Sequence, residues 1–421
     1  MAASGETTAV GADTLPSLTG VQVLSVKVAR GPIDTAAAAL ATPDTALPHS
    51  PVLAGIDDIV LLTVHDLRSL VNRSKCLGVQ GKAVAGCTPR EIALYLDGRQ
   101  IRGLEPESGA PVVGGADGTV RFHLQRSPNS DEAWADLLGA PPRTHASTRP
   151  TNVSVGLDGE YALNSRVTGH SFELIRFDPN RTVVAGLLFA AALTLFFVYV
   201  VRSNVLRDLG PEPDIGSRWR EFAPRGAAEP RKPWSLARTQ MAWWFFWVVG
   251  GFLFVTVITR AMDVLTGSAL ALIGISAATL LGAVAVDTSD TAAPDRAALI
   301  ADRDAREAHL NAIAQQIKTL PAGTPIPPAL LDDRTATRKM LRATYARLGL
   351  SQGLWNDLLA DPQGQSFHRF QLIVWTAVLT WLFVVGVYRR LAMPDFSATL
   401  LGLVGICNGL YVGFKFPENK A

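Results

Sequence analysis

Five stretches of this chain carry no charged residue: Thr182 to Val201, Met241 to Thr259, Gly267 to Val286, Gln371 to Tyr388 and Ala398 to Phe414. Each is 17 to 20 residues long. At ~1.5 Å rise per residue, a helix of that length covers roughly the ~30 Å hydrocarbon core of a bilayer. A single such run could be a buried helix of a soluble protein; five of them predict a multi-pass membrane protein. Composition agrees. Charged residues make up 18% of the chain, below the ~25% usual for soluble domains.

Lys and Arg in the connecting segments orient the spans. The segment from Arg202 to Gln240 holds eight, and that from Asp287 to Phe370 holds ten. The two short loops hold one (Arg260) and two (Arg389, Arg390). The positive-inside rule then places both longer segments and the C-terminus in the cytoplasm. With five spans, residues 1–181 fall outside. Two points pull the other way. Arg176 and Arg181 precede the first span as Arg202 and Arg207 follow it, and the segment from Asp287 exceeds the length over which the rule holds. The opening MAASGETTAVGADTLPSLTG has neither a basic n-region nor an apolar h-region. Translocation would rest on the first span as a reverse anchor, or on a leader outside this sequence.

The spans contain a repeat. Shifting the chain by 131 residues sets Ser235 to Val284 against Ser366 to Lys415 without a gap, and 12 of the 50 pairs are identical. They include Arg238/Arg369, Gln240/Gln371, Trp244/Trp375, Gly274/Gly405 and Gly282/Gly413. Each copy reads as a two-helix hairpin, 241–286 and 371–414, starting from the same side of the membrane. Such a parallel repeat is related by an axis along the membrane normal. Gly405, Gly409 and Gly413 recur at i, i+4, i+8, and Gly274, Ala278 and Gly282 match them. Small residues let helix backbones approach in lipid. These positions are therefore expected to make helix contacts, within a repeat, between repeats or between protomers. Asn408 lies beside that face as an intramembrane polar group. Ser235 and Ser366 are expected N-caps. Arg238 and Arg369 would sit in first turns, where the helix dipole disfavours cations. Either they anchor to lipid phosphate, or they join an inter-helix network through Gln240 and Gln371.

Residues 1–181 read as β-rich, with strands starting at Val21, Ile59, Ile92, Thr119, Val153 and Phe172, and a short helix at DEAWADLLG from Asp131. A compact β-sandwich is the expected solution. The first residues and the Ala/Pro-rich stretch from Ala36 to Pro51 read as loosely ordered. Cys76 and Cys87 would form a disulfide if outside, and stay thiols otherwise. The segment 287–370 holds a helix from about Pro294 to Leu320, a breaker PAGTPIPP, and a second helix from about Arg334 to Leu348. SQGLWNDLLAD follows as a short amphipathic piece. Residues 202–240 form a basic linker and 415–421 a tail.

No P-loop, GxGxxG, HExxH or GxSxG occurs, and Cys and His have no metal-ligand spacing. Neither a catalytic residue nor a cofactor is indicated. A net charge of +2 gives no pull toward nucleic acid. The phrases SLARTQMAWWFF, SFHRFQLIVW and FSATLLGLVGICNGLYVGFKFPE resemble bacterial multi-pass membrane proteins without an assigned activity. That resemblance implies a bacterial inner-membrane setting. The expected fold is an α+β membrane protein, a β-sandwich-like domain before a five-span bundle with a tandem hairpin repeat. The expected function is a non-enzymatic anchor or signalling scaffold meeting the lipid bilayer, further copies of itself and a protein partner. The alternative is an oligomeric channel or transporter built from the duplicated hairpins, against which stands the lack of intramembrane charge. An enzyme at the membrane surface comes third.

Overall fold

The computed structural model describes residues 14–29, 51–107, 112–114, 116–139, 147–288, 296–321, 323–361 and 364–418. The loosely ordered stretches expected near the N-terminus fall almost entirely outside these. The chain divides into two compact units.

The first unit takes Met1–Phe189, Phe252–Val264 and Val385–Met393. Its main sheet has five strands: β1 (Gln22–Ala29), β3 (Ile59–His65), β6 (Val112–Gly114), β7 (Asp117–His123) and β10 (Asn164–Ser165), in the order β10-β1-β3-β7-β6. A three-stranded sheet orders β2 (Val52–Ala54), β11 (Phe172–Ile175) and β8 (Thr148–Pro150) as β2-β11-β8. The third orders β4 (Ile92–Leu96), β5 (Arg99–Gln100) and β9 (Val153–Leu157) as β5-β4-β9. All six strands expected from alternation are present. Every residue of β4 and β9 is buried, so these two are covered on both faces. Asp97 and Gly98 both have positive φ, 49° and 75°; two such residues make the tight turn that matches strand twist between β4 and β5. Helices α1 (Leu67–Ser74) and α2 (Asp131–Gly139) complete the unit. Its core gathers Leu62, Phe122, Trp134 and Phe172 from sheets and helix, and continues into Ala185, Ile258 and Leu391. Those last three belong to ends of apolar helices.

The second unit takes Ala190–Gly251, Leu265–Val384 and Pro394–Ala421. Among the described residues five helices are long and apolar enough to cross a membrane, which marks a multi-pass membrane protein. They are α3 (Pro179–Arg202), α5 (Leu236–Thr259), α6 (Gly267–Thr288), α10 (Phe367–Arg390) and α11 (Ala398–Glu418). Most outrun their uncharged cores at one or both ends. Between α3 and α5 lies the short α4 (Trp219–Phe222). Helices α6 and α11 pack closely along one face: Leu272, Ser276, Thr279 and Ala283 meet Val404, Cys407, Asn408 and Tyr411, all buried. Helices α5 and α10 meet through larger groups, with Trp244 and Phe383 edge to face at 6.5 Å. Helix α3 is almost wholly exposed along its length.

The remaining helices form an antiparallel pair, α7 (Arg296–Thr319) and α8 (Pro328–Arg347), followed by α9 (Leu354–Leu359) and the two-residue strands β12 (Ala360–Asp361) and β13 (Gly364–Gln365). Leu310 and Ile313 of α7 pack on Leu341 and Tyr345 of α8, with Phe222 and Leu350 closing the cluster. Helix α8 starts six residues before the expected Arg334. Pro327 and Pro328 sit at its N-terminus, where the missing N–H costs nothing, so the proline-rich breaker ends in a helix start.

Candidate functional site

Two places concentrate polar chemistry: a set of arginines in the first unit, and a cationic cleft in the second.

Helices α5 and α10 each end in a non-glycine residue with positive φ, Arg260 at 56° and Leu391 at 45°. A helix end leaves its last carbonyls without intrahelical partners, and a left-handed end residue satisfies only some of them. Arginines of the β-rich chain supply donors. Arg176 Nη2 donates to the carbonyls of Arg389 at 2.7 Å and Tyr388 at 3.2 Å. Its guanidinium lies 4.9 Å over the Phe177 ring, which stacks on Tyr388 at 5.5 Å. Arg126, with its side chain fully buried, donates to the Leu391 carbonyl and to Asp131. Arg181 Nη1 bridges the carbonyls of Ile56 and Ile258, each at 3.3 Å. Asp57 completes the set, accepting from Arg260 and lying 3.1 Å from His123 Nε2. Cations at helix C-termini also match the dipole. Burial pulls the Arg176 guanidinium below its usual range, partly offset by Tyr388.

The second place is a cleft of about 610 Å³, lined by the turn after α3, the basic face of α8, the loop before α9, and the ends of α10 and α11 at Arg369 and Lys415. Lys415 Nζ pairs with Asp287 at 2.7 Å. Asp357 accepts from Ser351 Oγ at 2.6 Å and from the backbone N–H groups of Gln352 at 2.8 Å and Trp234 at 3.2 Å. Burial raises the Asp357 carboxyl above the usual range against those bonds. Burial likewise raises Asp208, opposed first by Lys415. Arg207 lies 4.4 Å over the Trp234 ring.

No protein-family model, curated protein or solved structure matches this chain.

The residues singled out from sequence fall as follows. Thr279 Oγ1 donates to Asn408 Oδ1 at 2.8 Å, and Asn408 Nδ2 donates to the Val404 carbonyl at 2.8 Å. The amide thus ties α6 to α11. The small residues do not form one contact face. A Cβ on Gly282 would stand 3.0 Å from Val412, but at Gly274, Gly405, Gly409 and Gly413 it would meet nothing within 4 Å. Ala278 is exposed. The contact runs about one residue round the helices, through Ser276, Thr279, Cys407 and Asn408, and the Thr279–Asn408 hydrogen bond crosses it. Gln240 Nε2 donates to Thr376 Oγ1 at 3.2 Å, joining α5 to α10, while Gln371 Nε2 reaches Cys407 Sγ at 3.7 Å. The two arginines differ. Arg238 donates to the Val205 carbonyl at 3.0 Å, whereas Arg369 stands 5.8 Å from the Tyr411 ring on the cleft. Cys76 and Cys87 are joined in a disulfide. Among the described residues no three of His, Cys, Asp and Glu gather to hold a metal.

Proposed function

We propose that this chain is a non-enzymatic membrane anchor or signalling scaffold that links an extracytoplasmic β domain to cytoplasmic partners. The observation that carries it is the arginine set. Arg126, Arg176 and Arg181 hold the ends of spans through backbone carbonyls, and a carbonyl cannot rotate away as a side chain can. A partner displacing the β unit would therefore displace α5 and α10. The intramembrane polar groups support packing over an ion path, since Thr279 bonds Asn408 and Gln240 bonds Thr376 in two separate inter-helix pairs.

The finer parts of this proposal have their own support. A sandwich-like outer domain fits three small sheets around one core. Duplicated hairpins fit the equivalent ends Arg260 and Leu391, 131 residues apart, the offset of the sequence repeat. They fit also the caps of α6 and α11, where Thr266 and Ser397 accept from the N–H groups of Ala269 and Leu400, both at 3.3 Å. The Cys76–Cys87 disulfide favours an extracytoplasmic location for that unit, in a bacterial inner membrane. The open face of Gly405, Gly409 and Gly413 is where a homo-oligomer would close.

Photo-crosslinking from both sides of native membranes tests the function. A specific protein partner should be recovered at the outer unit or at α7–α8, and Arg126→Gln with Arg176→Gln should leave the fold intact while weakening that capture. Absence of any specific partner on both sides would end the scaffold reading.

A further inference from the structure

The cleft of the second unit holds more cations than carboxylates, although Arg342 Nε also donates to Gln352 Oε1 at 2.8 Å. Seven Lys and Arg side chains line it against three aspartates, Asp208, Asp287 and Asp357. The aspartates are committed. Asp287 pairs with Lys415, Asp357 accepts three hydrogen bonds, and Asp208 accepts one from Ser235. Lys232 pairs with Glu212 at 3.0 Å. The row on α8 is different. Lys339, Arg342 and Arg347 all line the cleft and all are exposed, and among the described residues none stands within salt-bridge distance of a carboxylate.

This row is a helical face. Lys339, Arg342, Ala343, Ala346 and Arg347 follow at i, i+3, i+4, i+7 and i+8, with alanines leaving room between the cations. The opposite face, Leu341, Thr344 and Tyr345, packs on α7. Arg347 in the last turn suits the helix dipole. Lys339 and Arg342, one turn apart, are a like-charge pair that costs helix stability. Across the cleft stand Arg369 and Lys415, at the ends of two spans. Guanidinium groups bind phosphate through paired N–H donors, and a cavity of about 610 Å³ is the size of an ordinary ligand site. Basic pockets at span ends on the cytoplasmic side suit lipid headgroups.

We propose that this cleft binds a phosphate-bearing ligand, with Lys339, Arg342 and Arg347 contacting the phosphate and Arg369 and Lys415 closing the positive wall. The phosphate could belong to an anionic lipid headgroup or to a free phosphate compound.

The test uses the full chain in uncharged maltoside micelles. Short-chain phosphatidylglycerol is titrated and bound copies counted by native mass spectrometry; inorganic pyrophosphate is titrated by calorimetry. Both are repeated with Lys339→Gln, Arg342→Gln and Arg347→Gln combined, and with a control of equal charge loss outside the cleft, Arg220→Gln, Arg225→Gln and Arg334→Gln. The expected result is binding that falls at least about tenfold in the first variant, or ~1.4 kcal/mol, and stays unchanged in the control. Phosphatidylglycerol alone showing this pattern identifies a lipid site; pyrophosphate alone identifies a soluble ligand. No probe binding tighter than about 1 mM, or equal losses in both variants, overturns the proposal. If the triple variant melts below the native chain, Lys339→Gln alone serves, since its side chain makes no hydrogen bond among the described residues, and unchanged binding in it together with unchanged binding in Arg347→Gln overturns the proposal as well.

Discussion

Gly282 and Gly409 have the same residue type, lie in adjoining helices and occupy opposite environments. At Gly282 an added Cβ would press on Val412 at 3.0 Å, and the branched valine has little rotamer freedom to move aside. Gly282→Leu should therefore destabilise the bundle by about 1–3 kcal/mol, as overpacking does. Gly409→Leu meets open space and should change monomer stability by no more than about 0.5 kcal/mol. Unfolding in mixed detergent micelles reads both. Glu307 is the other decisive residue. It is buried on α7 and accepts from Ser217 Oγ at 2.6 Å, from the N–H groups of Ser217 and Arg218, and from Tyr345 Oη. Burial pushes its carboxyl up, but those bonds outweigh it and hold the carboxyl below its ordinary value. Burial and the same carboxylate push the Tyr345 phenol up. A depressed glutamate contributes stability that is present above its ordinary value and is lost as pH falls through the depressed one. Glu307→Gln should cost the α7–α8 pair about 2–3 kcal/mol at neutral pH and flatten its acid-side stability curve. Hydrogen exchange across α8 from pH 7 down to pH 4 measures both.

At the scale of elements, the ends of α5 and α10 matter more than their middles. Arg176→Gln removes charged donors from the carbonyls of Tyr388 and Arg389 and should loosen the last turn of α10 by about 1.5–3 kcal/mol. Hydrogen exchange should rise at Val385–Arg390 and stay unchanged in β4 and β9. Sequence made the strands legible through alternation or short apolar runs, and the spans through charge-free length. It did not reveal α1, whose eight residues begin after Asp66 in a left-handed conformation with no side-chain cap. The two- and three-residue strands also escaped: β2, β8 and β10 are strands only by pairing with distant partners, and β5, β6, β12 and β13 only by pairing across a turn. Glycine spacing named a face but not its partner; within the chain the Thr279–Asn408 hydrogen bond lies beside that face. Arg126 and Arg176 carry no local signature, because the carbonyls that explain them lie more than two hundred residues away. The basic row on α8 was readable from the spacing of Lys339, Arg342 and Arg347; its meaning required the ends of α10 and α11 to be placed beside it.

For the whole molecule, the proposed orientation places the residues before α3 outside the membrane. A cysteine introduced at exposed Tyr161 should react with an impermeant maleimide in intact spheroplasts, and protection there would reverse the orientation. The hydrogen bonds between hairpins also set an order of events during synthesis. Gln240 and Thr279 belong to the first hairpin, and their partners Thr376 and Asn408 to the second. The ribosome must add α7, α8 and α9 before those partners exist. At ~5–20 residues per second that interval is on the order of ten seconds. Throughout it the nascent chain holds an amide and a hydroxyl in lipid without their final partners. The first hairpin is then expected to stay near the insertion machinery until the second arrives, and a chain truncated before α10 should be cleared by membrane proteases.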